Sequence, residues 1–272
     1  MRIFHFILGV AISLLSITTS HATPVTEGDT IEINKGSRIT RQGDQIDYLL
    51  LVPREETRSF TMSYPVLLMN HGFSRDYSRH IDNAIFLATA GMIVMVPNLT
   101  ESGQTTLMGQ KEVDNVADHV RWLIDQGDDS SSPLYGILDS KRIAIAGHSA
   151  GGALSLEATV VLQDEGISLS GLLLLDTVPY MRTFRAATRL EPLPLLSLRA
   201  SPKGCNAFGA IERLTSKIPF SLQTTLIPGT SHCDFESPTD ITCELACGKS
   251  AELNRHTFRD LGLIFLRQIF GL

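Results

Sequence analysis

The sequence predicts an α/β domain in which helices flank a mostly parallel central sheet, and three observations predict it. Short apolar runs alternate with amphipathic stretches along most of the chain. The run at 142–146 leads into Gly147-His148-Ser149-Ala150-Gly151-Gly152, and the helix-like segment 153–158 follows at once, giving a strand–turn–helix unit. The 272 residues, less an N-terminal leader, suit one domain better than two.

Residues 1–22 read as a signal peptide. Arg2 supplies a small positive start, residues 3–17 are largely apolar, and Ser20-His21-Ala22 offers small residues where a signal peptidase cuts. A retained anchor is the rival reading; the run is short for a span and no basic cluster follows it. The expected domain is therefore 23–272, exported to the periplasm or medium. Residues 47–52 and 64–69 read as strands separated by a polar turn rich in Arg, Glu and Thr. A helix at 81–90 stops at Gly91, and the buried strand 92–96 ends at Pro97. A longer helix over 111–126 carries Val113, Val116, Val120, Leu123 and Ile124 on one face. The loop 128–133 is a surface connection. After the glycine-rich turn come strands at 172–175, 193–198 and 222–227. Ser237-Pro238-Thr239-Asp240 resembles a helix start, with Ser237 as cap and proline at the first helical position. Leu253, Leu261, Ile264, Phe265 and Ile269 recur at helical spacing and are expected to pack a terminal helix onto the sheet. No separate lid domain is evident.

The formal net charge is −6, and −7 once Arg2 leaves with the leader. A mildly acidic chain without Lys/Arg clusters offers no footprint for nucleic acid or an anionic membrane. No later apolar run suits a bilayer span, so no stable membrane insertion is expected after the leader is removed. Cys205, Cys233, Cys243 and Cys247 all fall in the last third. In an exported chain they are expected to form disulfides that brace that region, and all three pairings remain open. Their spacing lacks paired C-x₂-C units, which disfavours zinc, and no other His or acidic residues show ligand spacing; no metal and no cofactor are expected.

The chemistry starts from Ser149. Glycines permit a turn too sharp for larger side chains, so the hydroxyl projects from the sheet top while a helix N-terminus faces the reacting carbonyl. A serine hydroxyl needs a base, and the base works best with a carboxylate holding its tautomer. His5 and His21 leave with the leader; His80, His119 and His256 sit in predicted helices; His148 adjoins the serine and is expected to point away from it. His232, in the loop 228–234 after the last predicted strand, is the expected general base. The loop after 193–198 carries no carboxylate, whereas the preceding strand ends in Asp176, which is the expected triad acid. Asp234 is the rival acid, though two residues from His232 it needs an awkward bend. The order Ser149, Asp176, His232 fits the motif. The Asn70-His71-Gly72-Phe73 segment follows an early strand, so the amides of Phe73 and Ala150 are the expected oxyanion donors, each worth on the order of 3 kcal/mol in such sites. His71 is expected to bond within its own loop. Leu190 to Leu196 and the loop 73–77 are candidate apolar pocket walls, with buried packing an equal reading.

From about residue 47 to the C-terminus the chain resembles the α/β-hydrolase superfamily, and within it the chlorophyllase and platelet-activating-factor acetylhydrolase branch. The residues carrying this are His71-Gly72-Phe73, the 147–152 hexapeptide, Leu175-Asp176-Thr177-Val178-Pro179 and the loop 229–232. The resemblance implies hydrolysis of a small-molecule or lipid carboxylic ester without a cofactor. It names no particular ester, since no residues match a porphyrin- or phospholipid-recognition set. A lipase or acyltransferase on lipid substrates, and a non-catalytic binding protein on this fold, are the rival functions; the last predicts a missing triad position, and none is missing.

Overall fold

The structure, a computed structural model, describes residues 30–54, 63–100 and 109–272. The expected leader, with His5 and His21, and most of the polar turn before residue 64 lie outside the described residues.

Eight strands form one sheet in the order β1-β2-β4-β3-β5-β6-β7-β8. They are β1 (Ile31–Ile39), β2 (Gln45–Pro53), β3 (Tyr64–Asn70), β4 (Ile93–Pro97), β5 (Leu138–His148), β6 (Gly171–Leu175), β7 (Leu195–Arg199) and β8 (Gln223–Leu226). The β1–β2 and β2–β4 pairs are antiparallel, and every pair from β4 to β8 is parallel. The helices are α1 (Ile81–Thr89), α2 (Gln110–Asp128), α3 (Ala150–Asp164), α4 (Met181–Ala187), α5 (Ala210–Thr215), α6 (Ile241–Cys247) and α7 (Glu252–Phe270). Among the described residues no helix is long and apolar enough to cross a membrane.

Both faces of the sheet are covered, so its inner strands are apolar on both sides. Along β2 and β3 the side chains divide by the strand's period of two. Leu50, Val52, Val66 and Leu68 pack with α2 and α3, whereas Leu49, Leu51, Leu67 and Met69 pack with residues of α1 and α7. Helix α3 is buried nearly all round.

The parallel strands also end in register, with Asn70 opposite Gly147, His148 opposite Leu175 and Leu175 opposite Leu198. Whatever follows these ends is gathered on one rim, where parallel sheets place ligands. The predicted strands and long helices are present. The edge strand β1, missing from the sequence reading, carries exposed charged and polar residues over most of its length. Two further expectations need correction. Helix α6 starts at Ile241 with Asp240 as its cap, the Asp240 carboxylate accepting from Cys243 N at 2.9 Å; Ser237 does not cap it, and its bond to Pro238 is cis. On α7 the buried stripe is Phe258, Gly262, Phe265, Leu266 and Phe270, while Leu253 and Ile264 are 77% and 63% exposed. Leu253 precedes the part of the helix that meets the sheet, and Ile264 points opposite to the stripe.

Candidate active site

Ser149 sits between the last residue of β5 and the first of α3, with φ 56° and ψ −122°. For a non-glycine residue that region costs of order 1–3 kcal/mol, and it persists only where the surroundings impose it. Here Ser149 N donates to Leu175 O (3.0 Å), and Ser149 O accepts from Gly152 N and Val178 N (both 3.1 Å). The glycines are needed for contact. A Cβ on Gly147 would overlap the Gly151 carbonyl, and one on Gly151 would overlap the carbonyl oxygens of His71 and Asn70. The hydroxyl-bearing residue is left 8% exposed.

Asp176 follows β6 directly and is fully buried, with φ 41°. Its Oδ2 accepts from His232 Nδ1 at 2.6 Å and from Asn206 Nδ2 at 3.1 Å, and its Oδ1 accepts from Ala200 N at 3.0 Å. Because His232 Nδ1 donates, the neutral ring keeps its lone pair on Nε2. Among the described residues no hydrogen bond joins Ser149 Oγ to His232; the two side chains share the wall of one cleft, together with Gly72, Phe73 and His148. Asp234, the rival acid, is turned to other partners. It accepts from Ser231 N (2.7 Å), Ser250 Oγ (2.7 Å), Ala251 N (2.7 Å) and Asn254 Nδ2 (2.9 Å), and so ties the histidine turn to the start of α7.

On the opposite wall, Gly72 lies against the serine: a Cβ there would come within 3.2 Å of Ser149 Cβ. Among the described residues the Phe73 amide donates no hydrogen bond, and Ala150, as the first residue of α3, has no intrahelical acceptor for its own. His71 is fully buried. Its Nε2 accepts from Leu99 N at 2.9 Å, which leaves Nδ1–H to donate to Gly72 O at 2.8 Å. Burial lowers its pKa to about 4, so the ring stays neutral and fixes the loop.

Three groups with no role expected of them beyond Arg75's place in a candidate pocket wall join these pieces. Arg75 Nε donates to Glu236 Oε1 at 2.7 Å, and its Nη1 and Nη2 donate to Asp240 at 3.1 and 3.0 Å. The Phe73 loop is thereby stapled to the histidine turn and to the cap of α6. The Arg75 guanidinium, followed by the amide of Cys243, holds the Asp240 carboxyl at about 2. His148, expected to point away from the serine, lines the same cleft as Ser149 and is part of the site. Its Nε2 donates to His232 O at 3.1 Å, and its ring centroid lies 4.4 Å from that of His232. Burial first, and the nearby His232 second, push its pKa well below the usual value, making it a neutral platform for the His232 ring. Asn206 is the third, through its contacts to Asp176. Nothing local in the sequence signals Arg75 or Asn206, whose partners lie 161 and 30 residues away.

Cys233, next to His232, is bridged to Cys243 of α6, whereas Cys205 and Cys247 are thiols. The sulfurs of Cys233, Cys243 and Cys247 lie within 4.8 Å of one another, but two are spent in the bridge and give no thiolate set for a metal. Of the expected pocket walls, Phe73, Ser74 and Arg75 line the cleft. Leu193, Pro194 and Leu195 line a separate groove with residues of α7, and Leu190 is in the core.

The chain resembles known proteins in sequence over part of its length and in fold over most of it. The family described as Chlorophyllase matches residues 30–197. Among solved structures, the dienelactone hydrolase of Anabaena variabilis is similar over 88% of this chain and 98% of its own, at 14% identity and a TM-score of 0.65. The esterase of Pyrobaculum calidifontis covers 88% and 86% at 14% identity and 0.62, and a thermostable esterase of Pseudomonas putida 90% and 87% at 16% and 0.62. At such identities these likenesses show the fold. No curated protein matches the chain.

Proposed function

The chain belongs to the chlorophyllase family and has the α/β-hydrolase fold, and from that premise we propose that it is a serine hydrolase of carboxylic esters. Ser149 Oγ attacks the ester carbonyl as His232 Nε2 takes its proton. Asp176 holds Nδ1 and stabilises the imidazolium. The amides of Phe73 and Ala150 receive the negative charge on the carbonyl oxygen. His232 then protonates the leaving alcohol, and the acyl-Ser149 ester is hydrolysed by water in the reverse sequence, returning the proton to Ser149. The observation that carries this reading is the 2.6 Å contact between His232 and a buried Asp176 beside a serine in a strained elbow. Export, supported by the apolar leader and by the Cys233–Cys243 bridge, completes the proposal.

A lipid ester is the favoured variant of substrate. Phe73 on the cleft, and Ile241 and Leu245 on α6 beside it, are large exposed apolar groups. A series of p-nitrophenyl esters of increasing chain length tests both points. Turnover should vanish in Ser149→Ala and rise with chain length; turnover that survives in Ser149→Ala rejects the mechanism, and a preference for acetate rejects the lipid variant.

A further inference from the structure

Helix α6 faces both halves of the site. Cys243 joins it to Cys233, the neighbour of His232. One helical turn later Cys247 carries a free thiol on the wall of the cleft that Cys205, the neighbour of Asn206, also lines. Asn206 in turn donates to both oxygens of Asp176, at 3.1 and 3.4 Å. The two segments also touch there, since Lys203 Nζ donates to Cys247 O at 3.3 Å. Each catalytic support is therefore one residue from a cysteine that reaches α6. Cys205 and Cys247 both line the cleft, where a small oxidant has access. The four cysteines, Asn206 and α6 all lie beyond residue 197, where the family match ends.

We propose that Cys205 and Cys247 close a second disulfide, so that two bridges clamp the acid-side and base-side loops to α6. The pair is set up for it. Both are free thiols on one cleft wall, and Cys205 is the more exposed of the two, which makes Cys205 the attacking sulfur. The Cys205 thiolate attacks a low-molecular-weight disulfide such as oxidised glutathione and expels one thiolate. Cys247 then loses its proton and attacks Cys205 Sγ in the mixed disulfide, expelling the second. The pair loses two electrons and two protons, and the oxidant becomes two thiols.

The bridge itself does not depend on the esterase reading; its effect on turnover does. The full chain is equilibrated with oxidised glutathione at pH 8, denatured in an alkylating agent, digested without reductant and mapped by mass. The expected map links 205 to 247 and 233 to 243, with no cysteine alkylated. Oxidation should also raise the melting temperature by about 5 °C over the same protein with the pair reduced, and in Cys205→Ser this rise should disappear. Alkylated Cys205 and Cys247 after oxidation overturn the proposal, as does a 233–247 link formed by exchange, which the clustered sulfurs make the competing product. On the activity side, oxidised protein should outlast reduced protein several-fold at a temperature near the transition. A correct map in a protein without esterase turnover leaves the bridge standing and rejects the function.

Discussion

Ser149 and Asp176 on one side, and His232 on the other, are positioned by different means. The serine and the acid follow directly on β5 and β6, each at a positive φ, and are fixed by backbone hydrogen bonds to the neighbouring strand, Ser149 N to Leu175 O and Asp176 N to Leu198 O. His232, the proposed base, stands on a turn several residues past β8, a short and exposed strand. That turn is held by side chains: the Asp234 hub, the Arg75–Glu236–Asp240 staple, the His148 platform and the bridge to α6. The difference teaches that a sheet edge specifies two members of such a site at little cost in side chains. The third must be secured by contacts made anew on each chain. The family match covers the first region and stops before the second.

The comparison is broken most sharply at the two buried acids. Asp176→Asn should lower kcat/KM by about 10⁴-fold, because the amide no longer holds the His232 tautomer, with little change in fold. Asp234→Asn should retain most activity per folded molecule and lose stability, by about 1–3 kcal/mol in urea melts. Equal kinetic losses in the two variants would erase the distinction between reacting and supporting acid. Next in size, Arg75→Ala leaves Glu236, 2% exposed at its side chain, without its main partner, and should cost about 3 kcal/mol. That loss should fall on the C-terminal third first, seen as early proteolysis there. Uniform cleavage along the chain would show that the staple supports the whole domain.

A further effect is on pH. Burial holds His71 at about 4 and His80 and His119 at about 3, all below the ordinary 6.5. These rings are neutral in the fold and take up protons only when it opens. Their contribution is thus complete above about pH 6.5 and is lost as pH falls towards 4. Asp240, held at about 2, keeps its contribution until pH drops below about 4. Urea midpoints at pH 7.5, 5.5 and 4.5 should therefore fall through the histidine window with the Arg75–Asp240 staple intact. A flat profile would mean that the buried rings carry no such weight.

The parts legible in the sequence belong to the first region. Period-two and unbroken apolar runs gave the inner strands, and the elbow glycines marked Ser149 because their contacts are local. Asp176 could be read because the following strand end offered no carboxylate. The edge strand β1 escaped because its exposed side chains show no buried face, and α4 and α5 because seven and six residues carry too little periodicity. The Ser237–Pro238 start misled because a Ser-Pro pair is also what a turn uses; Asp240, two residues on, does the capping. Arg75, Asn206 and the choice of Cys243 for Cys233 depend on pairs brought together only by the fold.

The most direct test is where a covalent acyl mimic lands. The full chain is incubated with a fluorophosphonate, digested and mapped, alongside Asp176→Asn. A single adduct on Ser149, formed far more slowly in Asp176→Asn, is the result expected of a hydroxyl activated through residues 232 and 176. An adduct on another residue, or ester turnover that persists with Ser149 fully labelled, would contradict it.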